Sequence, residues 1–324
     1  MKKKLVLLFI IAIIGNLLFI MYYQTSKDLV PVEPLNSQTP LPTSTVTLEP
    51  SVSPTIATSL ETEQLLLLES KFNELGYTED EITTLVTNLE WFELTPILVF
   101  NHLDDIDAYI ADCLQHRDTN DENTFILSNT YVDYMSEGIA VSNPDEDDIL
   151  VNKHYYLASD YNPEIIALPE NYARDGMGLR EDAYNQFIKM ADAAKEEGLK
   201  IYGTSGYRSY QRQATLYNGY VEKWGTSEAD AVSARPGFSE HQTGLAMDLT
   251  VDGGLTSFTD TKEFTWMKAN AYKYGFILRY PENKTSITGY SFESWHYRYL
   301  GIDLATKVYE SHLTFDEYYA LYLS

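Results

Sequence analysis

The sequence predicts an α+β fold: a small, mainly antiparallel sheet flanked by helices, preceded by a transmembrane helix and a small helical segment. Three observations carry this. Residues 5–23, LVLLFIIAIIGNLLFIMYY, form one apolar run directly after Lys2, Lys3 and Lys4. Residues 60–116 show helical periodicity only, and beyond residue 124 helical stripes mix with short β-rich runs. The chain divides into a cytoplasmic tail (1–4), a signal anchor (5–23), a Pro/Ser/Thr-rich linker (24–58), a helical segment (59–120) and a mixed α/β domain (124–324).

Each part follows from elementary chemistry. About 20 apolar residues span a bilayer core, and lysines before the run with an acidic body after it place the N-terminus in the cytoplasm. A cleaved signal peptide calls for a shorter apolar core and a small-x-small site, which MYYQTSKD does not offer. The linker buries too little apolar surface to offset its chain entropy, and its prolines keep it extended. In the helical segment, Gly76 ends a first helix, and Thr78 with Glu81 forms a capping-box pattern before Ile82, Leu85, Val86 and Leu89. Pro96 and an amphipathic run toward Leu114 predict two further helices.

In the mixed domain, Ala183, Phe187, Met190, Ala191 and Ala194 make a helical stripe closed by Gly198. Leu199–Tyr202 reads as a strand, GTSGYRS as a turn, and Tyr210–Trp224 as a helix ended by Gly225. Residues 246–251 (AMDLTV), 275–280 (GFILRY) and 295–300 (WHYRYL) read as strands, and SHLTFDEYYALYLS as a closing amphipathic helix.

Composition excludes several functions. The formal charge of -25 opposes non-specific binding to nucleic acid and a polybasic membrane patch. Cys113 is the single cysteine, so neither an intrachain disulfide nor a thiolate zinc cage can form. Any metal site must use histidine and carboxylate, and Cys113 itself reads as a buried small apolar residue.

Such a set exists. SEHQTGLAMD places His241 on a loop and Asp248 on the strand it enters, with Gly244 letting the chain fold back. Downstream, ESWH sets Glu293 three residues before His296. One His-x6-Asp pair is a weak signal, and Trp-His after a carboxylate is often plain packing. Together, His241, Asp248 and His296 supply two imidazoles and one carboxylate, which suits a catalytic zinc ion with a position left for water. Glu293 is then free to act as general base. Arg208, in SGYRSY, can bind a carboxylate or stabilise an oxyanion. His154 and His312 sit in no motif and read as structural.

With these residues in place, the segment from about residue 151 to the C-terminus resembles the VanY-type D-alanyl-D-alanine carboxypeptidases of the LAS zinc metallopeptidases. The stretches that match are VNKHYYLASDYNPEIIAL, SGYRSYQRQ, SARPGFSEHQTGLAMDL, YGFILRYPENKTSITGY and ESWHYRYLG. The resemblance implies the LAS/Hedgehog-like fold and a Zn2+ enzyme that removes the terminal D-alanine from peptidoglycan stem peptides. It implies His241, Asp248 and His296 as metal ligands, Glu293 as the base and Arg208 as transition-state stabiliser. It alone promotes Gln213, Ser239, Tyr280 and Trp295, otherwise packing or capping residues, to the substrate pocket. Ser294 departs from the pattern, since relatives carry proline there; the exchange is expected to loosen the turn that holds Glu293.

Related reactions stay open: L,D-carboxypeptidase, and D,D-dipeptidase or endopeptidase. A non-catalytic, zinc-stapled module that binds cell-wall peptide is the alternative of another class, against which the presence of Glu293 argues. A serine-type enzyme lacks its Ser-x-x-Lys, although Lys284-Thr285-Ser286 mimics a later motif of that class, and HExxH is absent. The expected setting is the outer side of a Gram-positive cell membrane, with no nucleic-acid partner; the sequence leaves the oligomeric state open.

Overall fold

The computed structural model describes residues 54–99, 105–117, 138–251 and 258–324. The signal anchor expected at 5–23 lies outside the described residues. Among those described, no helix is long and apolar enough to cross a membrane.

The centre is a four-stranded sheet of β1 (Tyr202–Ser205), β2 (Ala246–Thr250), β3 (Phe276–Leu278) and β4 (His296–Tyr299), in the order β1-β2-β4-β3 with every pair antiparallel. Three strands fall where the alternation predicts. The first does not: the expected strand at Leu199–Tyr202 moves downstream onto Tyr202–Ser205, much of it read as a turn. The glycine there answers to packing, because a Cβ on Gly203 would lie 2.7 Å from the Met247 sulfur on β2.

Period-2 alternation then separates core from chemistry. Met247 and Leu249 on β2 and Tyr297 and Tyr299 on β4 point to one face, where they meet Phe187, Met190 and Ala194 of helix α5 (Glu181–Glu196) and Phe264 and Met267 of α8 (Lys262–Asn270). Asp248, His296 and Arg298 therefore point to the other face. Asp248 pairs directly with His296 in the register. A slip of one residue would send both into the apolar core, so the hydrophobic pattern itself fixes the site.

The remaining helices are α1 (Pro54–Glu74), α2 (Glu79–Asn88), α3 (Trp91–Leu94), α4 (Ile106–Arg117), α6 (Tyr210–Trp224), α7 (Thr226–Val232), α9 (Thr285–Thr288), α10 (Ile302–Ser311) and α11 (Phe315–Tyr322). Helix α6 matches the predicted span. Gly76 ends the first turn sequence at φ +92°, and Thr78 and Glu81 form the capping box. Helix α1 begins at Pro54, within the stretch read as linker; proline fits the first turn, where its missing N–H costs nothing. Leu68, Phe72, Leu85, Ile97, Tyr109 and Cys113 form a core that includes Ala320 and Leu321 of α11. The helical segment thus shares a core with the C-terminal helix, and Pro54–Ser324 is one compact unit.

Candidate active site

Two strands and a turn bring His241, Asp248 and His296 together with donor atoms within 4.8 Å of one another. Asp248 and His296 come from neighbouring strands. His241 comes from the 3-10 turn Glu240–Thr243, which ends on Gly244 in the left-handed region at φ +71°. That conformation and the crowding around it (a Cβ would lie 2.7 Å from the Ile165 side chain) explain the glycine.

The proton positions on both imidazoles are set from behind. His241 Nδ1 lies 2.8 Å from the Gly206 carbonyl and donates to it, leaving Nε2 with its lone pair 3.4 Å from Asp248 Oδ2. His296 Nε2 lies 3.1 Å from Glu240 Oε2 and donates to it, leaving Nδ1 3.2 Å from Asp248 Oδ1. Asp248 Oδ1 is buried without a hydrogen-bond partner among the described residues. Two nitrogen lone pairs and a carboxylate facing inward repel one another unless a cation lies among them, so the residues fit a metal ion. Burial opposes charge on Asp248, yet the adjacent His241 and His296 imidazoles hold its carboxyl far below the usual range. Burial also opposes charge on His296, but without a bound metal the adjacent Asp248 and Glu240 carboxylates outweigh it and lift it to about 9. A proton therefore competes with a metal for that position.

Glu240, which sequence reasoning passed over, is the hub of this support. It is 2 % exposed, and its other oxygen accepts from Arg279 Nε at 2.8 Å and Arg298 Nη1 at 3.0 Å. Arg279, fully buried, reaches on to both carboxylate oxygens of Asp316 in α11, which also accepts from Asn152. Burial disfavours the Glu240 anion, but the two guanidiniums outweigh it and keep the carboxyl ionised. A carboxylate behind a ligating histidine raises its basicity and fixes its ring, so Glu240→Gln is expected to weaken Zn2+ affinity about 10- to 100-fold, read by competition against a chromophoric chelator.

Gly206 is the corresponding support for His241. A Cβ there would meet the Gly178 carbonyl oxygen at 2.5 Å, so Gly206→Ala must displace the backbone that His241 leans on. The expected cost is about 1–3 kcal/mol of stability, checked by thermal unfolding, together with weaker metal retention.

Next to the triad lies a cavity of about 330 Å³ lined by Arg208, Ser239, Tyr280, Tyr290, Glu293 and Trp295, among others. Glu293 Oε2 sits 3.7 Å from His296 Nδ1, and burial raises its carboxyl to about 7. In the turn that carries it, Ser294 is buried and its hydroxyl accepts from Thr259 at 2.9 Å. Arg208 donates to Gln213 Oε1 at 2.8 Å and Ser205 Oγ at 2.9 Å. Gln213 is fully buried, and its amide N–H groups go to Ser233 and the Ala234 carbonyl. It lies behind Arg208 and aims that guanidinium, whereas Ser239, Tyr280 and Trp295 face the cavity. The Tyr280 ring lies 4.8 Å from the His296 ring.

A buried His-Asp-His set that could hold a metal ion, beside a cavity lined by Glu293 and Arg208, offers the groups that metal-dependent hydrolases use. Residues 176–302 match the VanY family model, described as D-alanyl-D-alanine carboxypeptidase. YodJ of Bacillus subtilis (strain 168) is 40% identical over 188 residues, 55% of this chain and 69% of that protein. A D-alanyl-D-alanine carboxypeptidase of Enterococcus faecalis (strain ATCC 700802 / V583) is 38% identical, over 52% of this chain and 64% of that one. Among solved structures, the LdcB LD-carboxypeptidase superposes with a TM-score of 0.53 at 39% identity, covering 56% of this chain and 88% of that chain. The chain belongs to the VanY-type D-alanyl-D-alanine carboxypeptidase family and is a carboxypeptidase.

Proposed function

We propose that this enzyme removes the terminal D-alanine from peptidoglycan stem peptides with Zn2+ held by His241, Asp248 and His296. Two imidazole nitrogens and one carboxylate suit that ion over harder cations, which prefer all-oxygen sets. When bound, Zn2+ supplies Lewis acidity, bringing the pKa of water to about 7 and polarising a carbonyl.

The observation that carries the reading is Glu293, lining the cavity within 3.7 Å of a metal ligand without belonging to the ligand set. Held near neutrality by burial, its carboxyl can take a proton from water and pass it to the leaving amine. Arg208, aimed by Gln213 and Ser205, is placed to grip the substrate's terminal carboxylate or the developing oxyanion. Ser239 and Trp295 complete the wall that receives the terminal residue. Similarity to an LD-carboxypeptidase supports a second reading, in which a tetrapeptide stem is the preferred substrate.

The apolar run at 5–23, with its preceding lysines, supports placement on the outer face of a Gram-positive cell membrane, the linker carrying the enzyme toward the wall. Mass spectrometry of synthetic penta- and tetrapeptide stems, with and without chelator, tests the activity. Loss of one alanine from the pentapeptide, abolished by chelator, is the expected result. Loss only from the tetrapeptide selects the second reading, and no loss from any stem overturns both.

A further inference from the structure

The helical segment 54–117 lies outside the region matched to the family model, yet it packs against the loop beside the active site: α3 lies against α9, and one of its side chains adds a hydrogen bond to a buried carboxylate. Trp91, the first residue of α3, donates its indole N–H to Glu317 Oε1 at 2.8 Å. Glu317 is 1 % exposed and receives Lys284 Nζ at 3.2 and 3.3 Å on its two oxygens and the Thr314 backbone N–H at 2.7 Å. Lys284 sits in the loop 281–289, whose two ends are Tyr280 and Tyr290. Their rings lie 4.5 Å apart, both line the cavity, and Tyr280 rests on His296. The Tyr280 carbonyl also accepts the backbone N–H of Glu293 at 3.1 Å. The neighbour of Glu317 on α11, Asp316, leads instead through Arg279 to Glu240 and the metal ligands. The first turn of α11 thus has one arm toward the metal and one toward the substrate loop, and the Trp91 indole bonds to the second.

We propose that Trp91 is a positioning residue for substrate: by fixing Glu317 it anchors Lys284, and with it the loop that presents Tyr280 and Tyr290 to the cavity. The helical segment is thereby part of the peptidase's specificity wall. The inference rests on the reading of this cavity as the stem-peptide site, but its physical content, a loop tethered through Glu317, can be measured without turnover.

Trp91→Phe keeps an aromatic ring against the helical core and removes the donor. Hydrogen exchange of the full chain is expected to quicken about tenfold in residues 281–290, the change that follows loss of a hydrogen bond to a charged, buried acceptor, and to stay unchanged in 239–248. On the stem peptide, KM rises about three- to tenfold while kcat and Zn2+ affinity hold. Lys284→Met, which leaves the helical core untouched, gives the same pattern, and the double variant is no worse than either single one because both act through Glu317. This second variant also decides the matter if Trp91→Phe fails to fold. Unchanged exchange in 281–290 in both variants, or additive effects on KM, overturns the proposal. Quickened exchange in a protein that hydrolyses no stem peptide upholds the tether and rejects the substrate reading instead.

Discussion

Glu293→Ala is expected to lower kcat/KM on a D-alanyl-terminated stem peptide by about 10³- to 10⁴-fold, roughly 4–5 kcal/mol of transition-state stabilisation, with Zn2+ binding retained. The separation of effects follows from geometry. Glu293 lies 3.7 Å from a ligand nitrogen, is partly exposed to the cavity, and supplies none of the three donors, so its loss removes proton transfer and leaves the metal seat intact. Glu293→Gln keeps size and polarity but cannot take a proton, so it should fall as far as alanine does. A glutamine variant with substantial activity would mean that Glu293 only orients water. Steady-state kinetics and metal content measured on the same preparations distinguish these outcomes. Inactive wild-type protein that binds stem peptides would instead favour a binding module.

Arg279→Leu is expected to have the largest effect on stability. Arg279 is fully buried between Glu240 and Asp316, which are 2 % and 3 % exposed. Burial disfavours its charge, but the two carboxylates outweigh that and stabilise the guanidinium strongly. Removing it leaves Asp316 with Asn152 as its remaining side-chain donor among the described residues, and Glu240 with Arg298 and His296. An uncompensated buried carboxylate costs about 3–5 kcal/mol, which for a unit of this size lowers Tm by roughly 10 °C. Because Glu240 stands directly behind His296, Zn2+ affinity should fall with it. Thermal unfolding of wild type and variant at fixed Zn2+ checks both parts, and a Tm loss under about 3 °C would show that Arg279 does not supply the charge compensation assigned to it.

The two parts of this site were unequally legible in the sequence. Metal-binding chemistry uses few residue types, so His241, Asp248, His296 and Glu293 were visible at their spacings, and AMDLTV and WHYRYL were legible as the strands that carry Asp248 and His296. The support behind them was not visible. Arg279 and Arg298 lie in GFILRY and WHYRYL, where a charged residue in an alternating strand reads as solvent-facing; here the second face is covered, and both are fully buried. Glu240, between Ser239 and His241, carried no signal beyond its neighbours. Asp316 and Glu317 read as ordinary acidic residues of a helix's first turn, which they are, but both are buried and reach distant partners. Gln213 was recognised by family likeness as a pocket residue, and its place behind Arg208 became clear only from its hydrogen bonds. Burial of charge depends on what the rest of the chain lays over a surface, and a local pattern does not encode that.

The most direct test of the whole account is a titration. Protein stripped of metal is assayed for release of D-alanine while Zn2+ is added in known amounts. Activity absent at the start and restored in full at one equivalent per chain is the expected result, with Asp248→Ala remaining inactive throughout. Hydrolysis at the wild-type rate by the stripped protein would contradict it.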